Sequence, residues 1–375
     1  MRELSALVDQ LLGDPMGSAR ERARAGERVV GYVGADVPVE LVWAAGARAV
    51  RLTARVDAET PNAERYLESS FAPALRSITE QWLSRAYDFL DAVVLSRSED
   101  GTQRLYYYLC ELQRRALAGG PRVLLYDVAK IPRAASERHT LAATVRLARE
   151  LGTRIEALPG AMAERNRRRE LLEDLSRWRE EGAPPPGTAV ERVLRASDLD
   201  DPDCFDQALS RWMRSPLAPH SGPRLLLAGS APPDERLQAA IERAGGCVVD
   251  EFGDHSAHRL GQPIVLDGTA DALERLAFHY HALAHGPRAF FDRAAEIARQ
   301  AQRVRADGVV LWLIEEDESL AWDVPAIRRK LASEGVPLLL LTRRRWDAGD
   351  GALDVVREFV SGLRPGAAAR NHNGS

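Results

Sequence analysis

The sequence is poor in cysteine and has no excess of charge of one sign. Three of its 375 residues are cysteines, Cys110, Cys204 and Cys247, and they lie far apart in the chain. This spacing does not fit the disulfide framework of a small secreted domain. The 51 basic and 55 acidic residues nearly cancel, to a formal net charge of −4. Because no strong electrostatic field results, neither nucleic acid nor a membrane surface is expected as a partner.

Long apolar segments are missing as well. The sequence contains no run of about 18 apolar residues, so it predicts no membrane-spanning helix. Its start, Met1-Arg2-Glu3-Leu4, is charged, and the apolar stretch of a secretory signal does not follow. We expect a soluble protein of the cytoplasm.

Sharp catalytic motifs are also lacking. The sequence has no P-loop, no G-x-G-x-x-G after a predicted strand, no G-x-S-x-G elbow and no H-E-x-x-H. These absences leave the positions that follow predicted strands as the first places to look for chemistry.

Short apolar runs rich in β-branched residues alternate with helical patterns along most of the chain. The predicted strands are residues 29–33, 49–52, 92–95, 122–126, 224–230, 247–249, 308–314 and 335–341. Strands and helices that alternate in this way are typical of parallel sheets covered by helices. The sequence therefore predicts an α/β fold with two flavodoxin-like or Rossmann-like parallel-sheet domains joined by a helical segment.

The strand signals vanish between the two halves, in a charged and helical stretch that is broken by Pro184-Pro185-Pro186-Gly187. We predict five segments: N-terminal helices over residues 1–28, a first α/β domain over 29–158, a helical connector over 159–221, a second α/β domain over 222–364 and a disordered tail over 365–375.

Ligands of open parallel sheets bind beside the carboxyl ends of the strands. In the first half these positions include Arg97 and Glu99, and in the second half they include Asp250-Glu251 and the acidic run 315–318. That run could hold a hard cation or be a solvated loop. Gly229 and Ser230 could bind an oxyanion through backbone N–H groups at a helix start, or form an ordinary β–α turn.

Histidines provide a further candidate group. His281 and His285 are four residues apart on a predicted helix, a spacing that could chelate a metal. The sequence offers no evident third ligand, and ordinary core or surface histidines are the preferred explanation of the pair. We assign no metal site.

Several segments, in order, carry a resemblance to a known family. They are VPVELVWAAGARAVRL at 37–52, APALRS at 72–77, YDFLDAVVL at 87–95 with RLY at 104–106, RLLLAGS at 224–230, ADGVV at 306–310 and GVPLLL at 335–340. Together they resemble the 2-hydroxyacyl-CoA dehydratase family, which includes the benzoyl-CoA reductase subunits, over residues 3–363.

The resemblance implies radical chemistry on a CoA thioester, with a [4Fe–4S] cluster held by three cysteines of a subunit. The positions of those cysteines carry Ala72, Glu99 and Asp317 here, and Ala35 stands where the family often has a serine. Iron–sulfur clusters need soft thiolate ligands. The resemblance thus implies a retained scaffold, with Ala35 and Ala72 lining the cleft, and a lost cluster site.

Three hypotheses follow from this combination. The first is a cluster-free subunit that acts on an acyl-CoA thioester in a heterodimer, while a cysteine-bearing paralogous partner holds the [4Fe–4S] cluster. The second is a stand-alone enzyme without redox chemistry, in which Glu99, Asp317 and Arg97 act on an acyl-CoA or related carbonyl compound by acid/base catalysis. The third is a non-catalytic regulatory protein that binds acyl-CoA. For Glu99 and Asp317 themselves, inert replacement of the cysteines is the favoured interpretation over a catalytic or cation-binding role.

Overall fold

The computed structural model describes residues 2–97, 99–180, 184–199, 202–215, 222–266, 271–283 and 290–363. His285 and the predicted tail lie outside the described residues. None of the helices within these ranges is long and apolar enough to cross a bilayer.

The first α/β unit is built on a four-stranded sheet in which every strand is parallel to its neighbours. Its elements and the helices before it are α1 (Arg2–Gly13), α2 (Gly17–Arg24), β1 (Val29–Val33), α3 (Val39–Ala44), β2 (Arg48–Arg51), α4 (Pro73–Leu83), β3 (Ala92–Ser96), α5 (Asp100–Arg114), β4 (Arg122–Tyr126) and α6 (Ala134–Leu151).

Three helices follow the first unit: α7 (Leu158–Glu180), α8 (Gly187–Ala196) and α9 (Pro202–Met213). They share an apolar cluster with α1, in which Leu4 and Val8 meet Leu172, Leu175 and Phe205. The N-terminal helix and the connector helices thus bury their apolar faces against one another.

The second α/β unit has another four-stranded parallel sheet. Its elements, with the helices between them, are β5 (Arg224–Gly229), α10 (Arg236–Arg243), β6 (Cys247–Phe252), α11 (Ala272–Ala282), α12 (Arg293–Arg303), β7 (Gly308–Ile314), α13 (Glu318–Ala321), α14 (Val324–Ser333), β8 (Leu338–Arg344) and α15 (Ala352–Gly362). The two sheets confirm the predicted pair of parallel-sheet α/β units.

Both sheets have the same strand order. The first is β2-β1-β3-β4 and the second is β6-β5-β7-β8. The chain therefore reverses its winding direction between β1 and β3, and again between β5 and β7. Such a reversal opens a crevice at the carboxyl ends of the two strands concerned, where α/β proteins bind their ligands.

Helices on both faces explain the composition of the strands. All five residues of β1 (VVGYV) and all seven of β7 (GVVLWLI) are buried. A strand with both faces covered loses the alternation of apolar and polar residues and becomes continuously apolar.

One helix of the second half packs on the first unit. Leu276 and Tyr280 of α11 join the apolar cluster that contains Val30 and Val94 of the first sheet. His281 on the same helix is hydrogen-bonded through Nδ1 to the carbonyl of Ala129, at 2.6 Å. The segment that leaves β6 thus crosses to the first unit and ties the two sheets together.

Candidate functional site

The carboxyl ends of both sheets border one cavity of about 250 Å³. The residues that follow the strands supply much of its wall: Gly34 and Ala35 after β1, Thr53 and Ala54 after β2, Glu99 after β3, Ser230 after β5, Gly253, Asp254 and His255 after β6, and Asp317 after β7. Both crevices expected from the strand order therefore open into the same space.

Six of the positions selected from the sequence line this cavity together, Gly229 and Ser230 among them. Ala72, Glu99 and Asp317 are the residues that immediately precede α4, α5 and α13. Ala35 lies on the wall beside them, after β1. The fold thus brings residues from distant parts of the chain, on both sheets, to one small volume.

Glu99 has an altered acidity in this setting. Burial of its carboxyl group, followed by repulsion from Asp254, Asp317 and Asp36, raises its pKa to about 8. Desolvation and like charges both disfavour the ionised form. Glu99 is therefore mostly protonated at neutral pH and can donate a proton or a hydrogen bond.

Asp317 lies opposite, at the end of the second sheet. Burial raises the pKa of its carboxyl group, and a hydrogen bond from Ser230 partly opposes that shift. Ser230 Oγ also accepts a hydrogen bond from the amide of Ile314, at 3.1 Å. The serine therefore fixes the loop after β7 and orients Asp317.

The Gly229-Ser230 turn has few free donors for an oxyanion. The amide of Ser230 already donates to the carbonyl of Trp312, at 2.8 Å. The turn continues with Pro232 and Pro233, which have no N–H. Gly229 has a φ of +110°, and a Cβ there would lie 2.0 Å from the Trp312 carbonyl oxygen. A close approach of two strands accounts for the glycine.

Arg97 does not line the cavity. Its Nη1 forms an ion pair with Asp127 at 2.6 Å, and its Nε donates to Gln103 at 3.1 Å. His139 contacts the same aspartate from the other side, at 3.1 Å. The guanidinium is therefore directed toward the end of β4, away from Glu99 and Asp317.

A buried ion pair lies near the cavity in the first unit. Lys130 Nζ lies 3.1 Å from Asp36 Oδ2, and both side chains are almost fully buried. Lys130 also donates to the carbonyl of Tyr280 at 2.5 Å, and Ser96 donates to Asp36. This lysine holds a negative charge close to Glu99 and anchors α11 at the same time.

One cavity residue, Asp254, escaped the sequence analysis, and His255 lies next to it on the wall. The predicted strand stopped at residue 249, whereas β6 continues to Phe252 and presents the next turn to the cavity. Burial, followed by repulsion from Asp36, raises the pKa of Asp254 to about 6. Burial lowers the pKa of His255 to about 3, so its ring is neutral at physiological pH.

Asp250 and Glu251 lie inside β6, so the expectation that they follow a strand was wrong. Both are fully buried, and Arg179 of α7 neutralises Glu251 at 2.5 Å. Asp250 accepts hydrogen bonds from Gln300 at 2.6 Å and from His258 at 3.1 Å. These contacts are structural and link β6 through buried polar groups to α7, α12 and the turn at His258.

The other candidate groups are occupied by protein partners. Glu315 pairs with Arg343 at 3.0 Å, and Glu316 lies 3.6 Å from Arg76 across the two units. His281 is held by the backbone, as described above. Among the described residues, no group of three or more histidine, cysteine, aspartate and glutamate side chains has an arrangement that could hold a metal ion.

The three cysteines do not converge on the cavity. Cys110 is half-buried on α5, Cys204 is exposed on α9, and Cys247 is buried at the first residue of β6, the end away from the cavity. Burial raises the pKa of Cys247 to about 11, which disfavours the thiolate. No cysteine is among the described residues that line the cavity. These residues do not fit an iron–sulfur cluster.

Comparison with known proteins identifies one family. A family model described as the D-component of 2-hydroxyglutaryl-CoA dehydratase matches residues 35–355. A search of curated proteins found no match. The matched range begins after β1 and covers the other seven strands and every cavity position selected from the sequence.

Proposed function

Because the chain belongs to the 2-hydroxyglutaryl-CoA dehydratase D-component family, we propose that it is a cluster-free subunit of a heteromeric dehydratase or benzoyl-CoA reductase-like complex. In this proposal its substrate is an acyl-CoA thioester, and a cysteine-bearing paralogous partner holds the [4Fe–4S] cluster. That cluster supplies the electron transfer, and this chain contributes a cavity for the acyl group.

One observation carries the proposal. Ala72, Glu99 and Asp317, which by resemblance occupy the cysteine positions of the family, converge on a single cavity. Chance placement of three residues from distant segments would not bring them together. Since none of the three is a thiolate, the scaffold of the family is kept while its ligand set is absent.

The cavity wall suits the acyl part of a thioester. Apolar side chains from both units contribute to it, among them Leu75, Ile78, Ile297, Leu311 and Leu313. A predominantly apolar wall with a few polar groups is typical of small-molecule sites.

Restoring the cysteines tests whether these three positions form a ligand set. We expect the triple variant Ala72→Cys, Glu99→Cys and Asp317→Cys to take up iron and sulfide on anaerobic reconstitution, with the visible absorption of a thiolate-bound cluster. The matched control places three cysteines at exposed positions: Glu111→Cys, Ser333→Cys and Asp354→Cys. Equal iron uptake by the two triple variants would contradict the assignment of the positions.

A second candidate function rests on a separate observation. Glu99 and Asp254 line the same cavity and have pKa values of about 8 and about 6. Two carboxyl groups whose pKa values differ in this way can serve as general acid and general base near neutral pH. The chain alone would then act on an acyl-CoA or related carbonyl compound without redox chemistry.

Turnover by the isolated, iron-free chain distinguishes the second function from the first. Loss of at least about 100-fold in kcat on Glu99→Gln, with little change for Glu111→Gln on the same helix, would support acid/base catalysis. Absence of turnover on acyl-CoA thioesters by the isolated chain would contradict this second function.

A further inference from the structure

The connection between β2 and α4 is long for its content of secondary structure. It runs from residue 52 to residue 72, and in this fully described stretch the only regular element is a 3-10 turn at Ala63–Arg65. Connections of this kind are uncommon in compact domains, and many of those that occur are active-site lids or binding loops. The connection starts at the edge of the cavity, because Thr53 and Ala54 line the wall.

Helix α4 holds this connection at two points that lie close together. Ser77 Oγ accepts a hydrogen bond from the amide of Arg55 at 2.8 Å and donates one to its carbonyl at 3.3 Å. Glu80 accepts a hydrogen bond from the amide of Asn62 at 2.8 Å. Since Ser77 and Glu80 are three residues apart, they are neighbours on one face of the helix. The segment 56–61 is therefore an Ω-loop, a surface loop whose two ends are close in space.

The 56–61 loop itself is only weakly attached to the rest of the protein. None of its side chains is buried in the described structure. It reaches the second unit through Asp57, whose Oδ1 lies 3.6 Å from Nη2 of Arg236, beyond normal hydrogen-bonding distance. The Asp57 side chain is 82% exposed, and exposed ion pairs contribute little to stability. A segment with fixed ends and few buried contacts can move as a unit at low cost.

An open notch of about 350 Å³ separates the loop from the second unit. Val56, Ala58 and Pro61 are apolar residues of the loop that line it, and Trp346 lines it from the second unit. Trp346 follows β8, is half-buried and also lines the main cavity. The notch therefore adjoins the cavity at Trp346, and the indole offers an apolar surface that the loop can cover.

We propose that the 56–61 loop is a lid, which swings about its anchors on α4 and packs Val56, Ala58 and Pro61 against Trp346 to close the cavity. In the closed state Asp57 and Arg236 form a direct, hydrogen-bonded ion pair. Closure shields the cavity from bulk water, as lids of this kind do in enzymes. The lid controls access to the cavity whatever ligand enters it, so it does not depend on the proposed acyl-CoA function.

A fluorescent label on the loop tests whether it reaches Trp346. The full chain carries bimane on Ala58→Cys, in a background with Cys110→Ser and Cys204→Ser, and an indole ring quenches bimane at close contact. We expect two lifetimes, of which the quenched one disappears with Trp346→Phe and persists with Trp322→Phe. Trp322 is the matched control, because it is exposed and lines neither the cavity nor the notch. A single lifetime, or a decay that Trp346→Phe leaves unchanged, overturns the lid.

A thiol inside the cavity tests whether the loop controls access. Ala72 lines the cavity, and Ala72→Cys in the same background places the thiol there. Replacement of residues 56–61 by Gly-Ser-Gly joins the two anchored ends and removes the lid. We expect the shortened chain to react with a bulky aromatic disulfide reagent at least about 10-fold faster, because a closed state that dominates the population excludes the reagent.

Two further chains complete this test. The point variant Val56→Ser weakens only the packing on Trp346, and we expect a smaller increase in rate in the same direction, which decides the question even if the shortened chain unfolds. An exposed thiol at Ser333→Cys should react equally fast with and without the lid. A cavity thiol that reacts at the same rate in the full-length, Val56→Ser and shortened chains overturns the proposal.

Discussion

Burial changes the acidity of individual side chains around the cavity. The carboxyl of Glu99 ionises near pH 8, and that of Asp254 near pH 6, although both residue types normally ionise near pH 4. The physical causes are the loss of water and the proximity of other carboxylates. These two carboxyl groups can therefore take up and release protons near neutral pH, whereas exposed aspartates and glutamates stay ionised there.

We expect the buried Glu99 carboxyl to make the free energy of unfolding depend on pH. Its folded-state pKa of about 8 lies above the ordinary value of 4.5. Between these values the unfolded chain has released a proton that the folded chain still holds, so the contribution of Glu99 to stability is lost as pH rises toward 8. Glutamine does not titrate. We expect Glu99→Gln to gain up to about 1.4 kcal/mol per pH unit relative to the wild type across this window.

Urea unfolding of both proteins at several pH values between about 5 and 8 measures this difference. Glu111→Gln, on the exposed face of the same helix, is the control and should differ from the wild type by a constant amount. A constant difference for Glu99→Gln as well would show that the Glu99 carboxyl is ionised in the folded protein at neutral pH.

Gly229 is a second residue whose environment fixes its identity. The change Gly229→Ala puts a Cβ 2.0 Å from the carbonyl oxygen of Trp312, at a φ that L-residues rarely adopt. We expect a loss of about 3 kcal/mol or more in the free energy of unfolding. Gly245→Ala is the matched control, because Gly245 also has positive φ (+83°) but nothing within 4 Å of the added Cβ. The control should lose about 1 kcal/mol, and equal losses would refute the steric argument.

At the scale of elements, buried charges join helices that are distant in sequence. Arg169 of α7 contacts Glu40 of α3 at 2.6 Å, and both side chains have no exposed surface. Tyr280 of α11 donates to the same carboxylate at 2.9 Å. Glu40 therefore connects three helices, and its charge depends on Arg169.

The variant Arg169→Met tests how much this ion pair contributes to the free energy of unfolding. Removing the cation leaves the Glu40 carboxyl without its counter-charge in a dry interior, and we expect a loss of about 3–5 kcal/mol in the free energy of unfolding. Arg177→Met on the same helix is the control, since Arg177 pairs with Asp174 at the surface. We expect less than about 1 kcal/mol there. Denaturant titration gives both values, and a small effect of Arg169→Met would contradict the role of the pair.

Much of the element order could be predicted from the sequence, because apolar runs and turn residues act locally. The strands at 122–126 and 308–314 have the predicted bounds. The error at β6 had a different origin. Asp250 and Glu251 resemble a loop, and the arginine that lets them lie in a sheet is 72 residues away from Glu251. A pattern confined to neighbouring residues cannot reveal such a partner.

Part of the candidate site could also be predicted from the sequence. The resemblance selected Ala72, Glu99 and Asp317, and the fold brings them together. Asp254 was missed because the end of its strand was misplaced by three residues. The crossing of α11 to the first unit depends on tertiary contacts such as Lys130 with the carbonyl of Tyr280.

At the scale of the whole molecule, the fold, the family and the cavity support one account. Two parallel sheets of equal strand order face one cavity. The residues that by resemblance occupy the family's cysteine positions, Ala72, Glu99 and Asp317, line it and carry no sulfur. The account predicts that this chain works together with a subunit that retains the thiolates.

Anaerobic purification of the tagged chain from its native source, with analysis of iron and sulfide in each separated chain, tests this account most directly. We expect a cysteine-bearing paralogue to co-purify in a fixed ratio, with the iron and sulfide on that paralogue and none on this chain. A chain that purifies without a paralogue, or one that carries the iron itself, would contradict the account.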